Sequence, residues 1–266
     1  MSGKDLQMKD DSNSGNTGDD NLFKNRYGEE IGSGQSAVVY EKDGIAAKVY
    51  REGQPRKQVY QEAFTMAVVK DSNIPSPEIY GVETFCNRTA LLMEKVEGRS
   101  LFDFLTENPD KKEDYMDKVV ELQVLMHRIT TTEFRPQKQV LAGTIIASPG
   151  LNPDEKNALL ENLQTLPDGY SICHGDFHLG NVLFDGENYI IIDWAEVSCG
   201  APASDACRSY LDYLIMGEGL EEIYIEKYSR LSDIPKEEIL NWLSVTAGSI
   251  YGYLGDEAQK KIRHLF

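Results

Sequence analysis

One segment, CHGDFHLGNVLF, limits what this chain can fold into more than any other. Its polar residues, set between apolar ones, are His174, Asp176, His178 and Asn181. Asp193 follows twelve residues after Asn181, at the end of the apolar run YIII. Short apolar runs of this kind predict strands, so the polar residues are expected in a loop at a strand junction. The polar residues of this loop have either a catalytic or ligand-binding role or a structural role in the packing of the loop.

The spacing of three of these residues favours the transfer of a phosphate group. Asp176 can contact the hydroxyl group of an acceptor, while Asn181 and Asp193 bind a hard cation. Mg²⁺ prefers oxygen ligands and keeps several waters, so one amide oxygen and one carboxylate suffice when a nucleotide supplies phosphates. The pattern therefore predicts a nucleotide-dependent transfer site.

Two other interpretations of the same segment compete with this one. A zinc site would use His174, Asp176 and His178, but no further protein ligand stands at a matching spacing. A structural polar loop would need no ligand, and Asp193 would then only cap the turn that follows its strand. His178 is expected to be a loop residue, and Trp194 is expected to pack in the core beneath the loop.

A glycine turn followed by a lysine precedes this segment. In EEIGSGQSAVVYEKDGIAAKVY, Gly32 and Gly34 occupy a turn and Lys48 lies in the third strand. Ser36 belongs to the same turn. Glycine lets backbone N–H groups approach phosphate oxygens, and a lysine in a buried strand needs a partner, for which Glu62 on the next helix is the nearest. These residues are expected to bind nucleotide phosphates, although an ordinary hairpin would also explain the turn and the third glycine of GxGxxG is absent.

Hydrophobic periodicity divides the chain into a tail and two lobes. Residues 1–21 are rich in Ser, Asn, Gly and Asp and predict a disordered tail. Residues 22–97 predict a small lobe of short strands with one helix over 54–71. Residues 98–266 predict a larger helical lobe, in which 170–196 return to strands. The expected fold class is α+β, with a β-rich N-lobe and a helical C-lobe.

Composition disfavours several classes of partner. The formal net charge of −17 disfavours nucleic acid and an anionic membrane as partners, and it is compatible with a cationic substrate, although solubility alone would explain it. No apolar run approaches the length of a membrane span, and the N-terminus lacks a signal core. Four scattered cysteines without a CxxC pair predict reduced thiols and a cytoplasmic protein. We expect a monomer or a weak dimer.

The motifs HGDFHLGN and IIIDW, in this order after the glycine turn and Lys48, resemble the aminoglycoside phosphotransferase family, a branch of the protein-kinase-like superfamily. The resemblance covers residues 23–266 and implies ATP and Mg²⁺ as cofactors. It implies that Asp176 is the catalytic base and that Asn181 and Asp193 bind Mg²⁺. It also implies that Lys48 contacts the nucleotide phosphates while Glu62 pairs with it.

The same resemblance assigns roles around these motifs. LLMEKVEG is similar to the hinge between lobes, where Met93 would line the adenine pocket and the backbones of Glu94 and Val96 would bond adenine. Asp205 is expected to cap the next helix and brace the catalytic loop. Only WAEVSCGAPAS separates Asp193 from Asp205, which leaves no room for a segment that docks a peptide, so the acceptor is expected to be a small molecule.

The identity of the acceptor is left open by the sequence. Acidic candidates for contact with a cationic, aminoglycoside-like acceptor are Asp212, Glu218, Glu221 and Glu222, although a solvated helix face explains them as well. The carboxylate of Phe266 is a further candidate, with a frayed chain end as its alternative. A kinase for choline, ethanolamine, homoserine or a sugar meets the same constraints, and a nucleotide-binding pseudokinase is the third hypothesis.

Overall fold

The computed structural model describes residues 17–34 and 36–266, which form two compact units. One, called the sheet unit, comprises the described residues up to Ser100 together with Val182–Ala195. The other, called the helical unit, comprises Leu101–Asn181 and Glu196–Phe266. Within the described part of the chain, none of the helices combines the length and the apolar character that crossing a membrane requires.

The sheet unit is built around one antiparallel sheet of five strands. Its elements are α1 (Thr17–Tyr27), β1 (Glu29–Ser33), β2 (Ala37–Lys42), β3 (Ile45–Tyr50), α2 (Arg56–Asp71), β4 (Ile79–Phe85), β5 (Arg88–Glu94), β6 (Arg99–Ser100), β8 (Val182–Phe184) and β9 (Tyr189–Ile191). The strand order is β1-β2-β3-β5-β4, and Lys48 on β3 is paired with Val39 on β2 and Leu91 on β5. A lysine on this central strand is thereby fixed in register between two neighbours.

Helix α1 corrects the predicted end of the N-terminal tail. The tail was expected to reach residue 21, but α1 begins at Thr17, and residues 1–16 of the prediction lie outside the described residues. The rings of Phe23 and Tyr27, four residues apart on one helix face, are buried against Tyr40 of the sheet. Burial of these two rings stabilises the helix, although most of the other residues in the segment are polar.

Residues 182–195 belong to the sheet unit, whereas the sequence assigned them to the helical lobe. Strand β8 pairs with both β6 and β9, with Arg99 opposite Phe184. A Cβ on Gly98 would lie 2.7 Å from the carbonyl oxygen of Phe184, so glycine is needed for this close approach. Residues 182–195 are assigned to the sheet unit because β8 pairs with β6 and β9 pairs with β8.

The helical unit contains two short strands among its helices. Its elements are α3 (Leu101–Glu107), α4 (Lys112–His127), α5 (Gln137–Ala147), α6 (Pro153–Thr165), β7 (Ser171–Cys173), β10 (Ser198–Gly200), α7 (Pro202–Met216), α8 (Leu220–Ser232), α9 (Lys236–Leu240), α10 (Leu243–Tyr251) and α11 (Asp256–Ile262). Strand β7 pairs antiparallel with β10, and α7 packs against α8 and α10. The chain after β7 and the first turns of α7 therefore lie close together.

Candidate functional site

The loop after β7 contains the predicted base and is held by its own side chains. The side-chain amide nitrogen of Asn181 (Nδ2) donates to the backbone carbonyl of Asp176 over 2.8 Å. His174, fully buried, accepts the N–H of Asp176 at Nδ1 over 3.3 Å. Nδ1 of His178 accepts from Gly180 N–H, so Nε2 carries the proton and faces Asp176 Oδ2 at 3.7 Å. These contacts fix the backbone on both sides of Asp176.

Asp205 braces the same loop from the first turn of α7. Its carboxylate oxygen Oδ1 accepts the backbone N–H of Gly175 over 2.7 Å. Oδ2 accepts from His127 Nε2 over 3.0 Å and from Gln123 Nε2 over 3.2 Å. Burial alone would raise the pKa of Asp205, but the hydrogen bonds from His127 and Gly175 hold it below its usual value. A buried, ionised carboxylate thus ties the loop to two helices.

Arg208, one turn further along α7, contacts the predicted base directly. Its guanidinium lies 2.6 Å from Asp176 Oδ1 and 2.7 Å from Asp212 Oδ1. Burial would raise the pKa of Asp176, but the charge of Arg208, helped by His178, holds that pKa far below the usual value for an aspartate. Asp176 is therefore ionised throughout the neutral range, as a group that accepts a proton must be.

A second cluster of charges lies in the sheet unit. The ammonium group of Lys48 is 2.8 Å from Glu62 Oε1 and 3.1 Å from Asp193 Oδ1. The hydroxyl group of Tyr50 donates to the other oxygen of Glu62. Burial lowers the pKa of Lys48, but the charges of Asp193 and Glu62 more than offset this, so the pKa of Lys48 is raised. The predicted pairing of Lys48 with Glu62 is present, and Asp193 joins it.

These charges border a cavity of about 220 Å³ within the sheet unit. Its charged and polar end is formed by Lys48, Glu62 and Asp193. The rest of the wall is largely apolar and consists of Ile31, Val39, Ala46, Met66, Pro77, Met93, Glu94, Lys95, Val96, Leu183 and Ile192. An apolar wall that ends in an ammonium group and carboxylates has the chemistry expected of a nucleotide site, with aliphatic side chains for the base and Lys48 for the phosphates.

The predicted hinge residues Met93, Glu94 and Val96 all line this cavity. The N–H of Glu94 already donates to the carbonyl of Glu78 over 2.8 Å, so its carbonyl is the group of the two that adenine can use. The described residues of the predicted glycine turn, in contrast to the hinge residues, do not line the cavity. Among the described residues, the cavity wall does not include Gly32, Gly34 or Ser36, which lie in β1 and in the turn after it.

The zinc interpretation can be compared with the positions of potential ligands. Among the described residues, the group of ligand atoms that lies within 4.8 Å is His127, Cys173 and Asp205, not the His174, Asp176 and His178 of that interpretation. The carboxylate of Asp205 is already used by three donors, and burial holds the pKa of the Cys173 thiol well above its usual value. The group is explained as a hydrogen-bonded brace.

The family model of the phosphotransferase enzyme family matches residues 28–237. The chain belongs to this family. The match confirms the family and the enzyme class that the HGDFHLGN and IIIDW motifs indicated, so the protein is a phosphotransferase. No curated protein matches the sequence significantly.

Solved structures similar to this phosphotransferase confirm the fold. An aminoglycoside-3'-phosphotransferase of type VIII is 20% identical over 87% of this chain and 98% of that one, with a TM-score of 0.61. A variant of aminoglycoside phosphotransferase APH(4)-Ia, in complex with AMP-PNP and hygromycin B, is 14% identical over 94% and 98%, with a TM-score of 0.68. The choline kinase LicA from Streptococcus pneumoniae is 14% identical over 93% and 97%, with a TM-score of 0.66. The fold is therefore α+β and protein-kinase-like, as predicted.

The predicted acceptor residues of the phosphotransferase lie in three different settings. Asp212 is mostly buried and paired with Arg208; burial and the charge of Asp176 raise its pKa to about 6, although Arg208 opposes this. Glu218 is exposed, with a φ of 66°, in the turn between α7 and α8. The ring of Phe266 packs against Tyr251, with centroids 5.2 Å apart. Asp212 is joined to the predicted base through Arg208, whereas Phe266 packs against the apolar cluster that contains Leu211 and Ile215 of α7.

Sequence reasoning missed Arg208, whose guanidinium contacts the carboxylate of Asp176 at 2.6 Å. A signal for it exists. Asp205 was expected to brace the loop, and residues three and four positions further along a helix share its face, which places Arg208 and Ser209 toward the same loop.

Proposed function

We propose that this phosphotransferase transfers the γ-phosphate of ATP to a hydroxyl group of a small molecule, with Mg²⁺ as cofactor. The observation that carries the proposal is the position of the Lys48 ammonium between Glu62 and Asp193 at the polar end of an apolar cavity. Two carboxylates fix the position of the ammonium group, so that it is oriented to contact phosphates and is not drawn toward one carboxylate alone.

The residues present fit ATP and Mg²⁺ by the chemistry of their donors. Val39, Ala46 and Leu183 offer aliphatic surface to a nucleobase. Asp193 offers a half-exposed carboxylate, and Asn181, whose nitrogen is used by Asp176, offers its amide oxygen. Oxygen ligands of this kind suit Mg²⁺, which when bound neutralises charge on the phosphates. Gly32 near the end of β1, with Gly34 and Ser36 in the turn after it, is proposed to approach the phosphates through the backbone, as the composition of the segment suggested.

Asp176 is proposed to orient the acceptor hydroxyl group and accept its proton. Oδ1 is occupied by Arg208 at 2.6 Å, whereas the contacts of Oδ2, with Asn181 Nδ2 at 3.5 Å and His178 Nε2 at 3.7 Å, are long, so Oδ2 is the oxygen that can take the hydroxyl. Phosphoryl transfer demands little covalent work from a protein, and catalysis depends on positioning and charge. An ionised, immobilised carboxylate meets both requirements.

A small acceptor is supported by the shortness of the chain between Asp193 and α7. Residues 194–201 form a 3-10 turn and β10 and are followed directly by α7 at Pro202, which leaves no segment for docking a peptide. Hygromycin B, a small molecule, is bound in one of the similar structures. The cationic nature of the acceptor is supported by the net charge of −17 and by the exposed Glu218, whereas Asp212 is already paired with Arg208.

The test is a screen for ADP release with kanamycin, hygromycin B, choline, ethanolamine, homoserine and glucose as acceptors, with and without Mg²⁺. We expect Mg²⁺-dependent turnover with at least one cationic acceptor, and we expect Asp176→Asn to bind ATP normally while losing most of that turnover. Asp193→Ala should instead weaken the binding of Mg²⁺-ATP itself. Turnover only with homoserine or glucose would reject the cationic class, and binding of ATP without turnover of any acceptor would favour a pseudokinase.

A further inference from the structure

We propose that Arg208 is a positioning residue that holds the carboxylate of Asp176 in one orientation, with Oδ1 engaged and Oδ2 presented to the acceptor. The inference rests on the proposed function, because it assigns a second residue to the base of that reaction. It concerns a side chain that neither the motifs nor the family match singles out.

One turn of α7 contacts three consecutive residues of the loop. Asp205 accepts the N–H of Gly175 over 2.7 Å, and Ser209 donates its hydroxyl to the carbonyl of Phe177 over 2.7 Å. Arg208 contacts the side chain of Asp176, between these two, at 2.6 Å. Positions i, i+3 and i+4 of a helix share one face, so the three contacts act on the loop as a unit. Two of them fix the backbone, and only Arg208 fixes the carboxylate.

The contact is geometrically suited to setting an orientation. One terminal nitrogen of Arg208 contacts Asp176 Oδ1 while the other contacts Asp212 Oδ1, so the planar guanidinium is held at two points. The guanidinium side chain is 20% exposed, which limits the competition of water for these bonds. The other oxygen of Asp176 faces Asn181 Nδ2 at 3.5 Å and His178 Nε2 at 3.7 Å, distances at or beyond the limit of a hydrogen bond, and is therefore held much less firmly.

Arg208 also separates two like charges. Asp176 and Asp212 share this single guanidinium, and the charge of Glu196 acts on it as well. Without the cation, the two carboxylates would repel each other, and Asp176 would turn away from Asp212. Because a displacement of the reacting group by 1 Å can reduce turnover about 100-fold, loss of Arg208 is expected to affect kcat much more than KM.

The test compares Arg208→Ala and Arg208→Lys with Lys227→Ala, using the acceptor from the screen that is turned over fastest. Lys227 is the matched control, because it also bridges two carboxylates of the helical unit, Glu113 at 2.9 Å and Asp117 at 2.7 Å. We expect kcat to fall about 100-fold in Arg208→Ala with KM for ATP unchanged. Added guanidinium chloride, below denaturing concentrations, should restore about tenfold of the loss by forming the same paired bonds. Lys227→Ala should keep the kcat of the parent.

Arg208→Lys keeps the positive charge but lacks the two terminal nitrogens of the planar guanidinium, so its kcat is expected to be about tenfold below that of the parent. This variant decides the question if Arg208→Ala does not fold, as judged by ATP binding and circular dichroism. A parent-like kcat in Arg208→Lys and in a folded Arg208→Ala overturns the inference alone. A loss of kcat that Lys227→Ala shares, or that guanidinium does not relieve, also overturns it. A parent that binds ATP but turns over no acceptor overturns the proposed function, and the inference with it.

Discussion

Replacing Asp205 by Asn is expected to destabilise the helical unit strongly, although the two side chains have the same shape. The amide oxygen can still accept from Gly175, but the amide nitrogen would then face two donors, His127 Nε2 and Gln123 Nε2. Both of those bonds now go to an ionised acceptor, and each is worth about 1.5–3 kcal/mol. We therefore expect the free energy of unfolding to fall by about 3–5 kcal/mol, as for the loss of a partner from other buried charged groups.

The assay is urea unfolding followed by the fluorescence of Trp242. The protein has two tryptophans, Trp242 in the helical unit and Trp194 in the sheet unit, so a Trp194→Phe background isolates the signal. With a slope of about 2 kcal/mol per molar urea, the midpoint should fall by about 2 M. Asp117→Asn is the control, since Asp117 is half-exposed and such ion pairs contribute about 0–1 kcal/mol. A midpoint for Asp205→Asn as close to the parent as that of Asp117→Asn would refute the reasoning.

The pH dependence of this difference provides a second check. The pKa of Asp205 is lower in the folded protein than in the unfolded chain, so its ionised form stabilises the fold. That contribution is complete above the unfolded pKa of about 3.9 and is lost as pH falls through the folded pKa. The difference in the free energy of unfolding between the parent and Asp205→Asn should therefore be constant from about pH 5 upward, which is about one pH unit above the unfolded pKa. It should shrink below about pH 4.

Three further predictions follow from single contacts. Gly175→Ala should abolish most turnover while leaving ATP binding intact, because its φ is 86° and its Cβ would lie 2.6 Å from the carbonyl oxygen of Glu196; steady-state kinetics with normal turnover would contradict this. Gly143→Ala should raise the free energy of unfolding by about 0.5–1 kcal/mol, measured in urea, since the site is within α5 and a Cβ there meets no atom within 4 Å. Glu62→Gln should lower the stability of the sheet unit by about 1.5–3 kcal/mol, because Lys48 loses its buried charged partner; an unchanged Tm would contradict it.

The sequence was sufficient to predict features that follow from a local physical rule. Lys48 and Glu62 were paired by the rule that a buried ammonium needs a counter-ion, and the structure has them 2.8 Å apart. That Asp193 joins the pair could not be predicted, because it depends on how residues 182–195 fold against the strand that contains Lys48, which lies 145 residues before Asp193. The roles proposed for Asp176, Asn181 and Asp193 still depend on the tests described above.

Other features were hidden by ambiguous local patterns. Helix α1 was missed because its aromatic pair, Phe23 and Tyr27, is embedded in polar residues. Residues 235–254 have helical spacing throughout, but the structure divides them into α9 and α10 at Asn241–Trp242, where Trp242 is fully buried. Asp212 had the pattern of a solvated acid, and only the fold shows it beside Arg208. In each case long-range packing decided what the local sequence left open.

The sheet unit is made of two stretches of chain that are far apart in time as well as in sequence. Residues up to Ser100 leave the ribosome first, and Val182–Ala195 follow only after Leu101–Asn181 have been made. At about 5–20 residues per second, this interval lasts about 4–16 s. During it, Lys48 has Glu62 but not Asp193, and the cavity lacks Leu183 and Ile192. A nascent or truncated chain that ends at residue 181 therefore has all five strands of the large sheet but lacks two apolar residues and one carboxylate of the cavity wall.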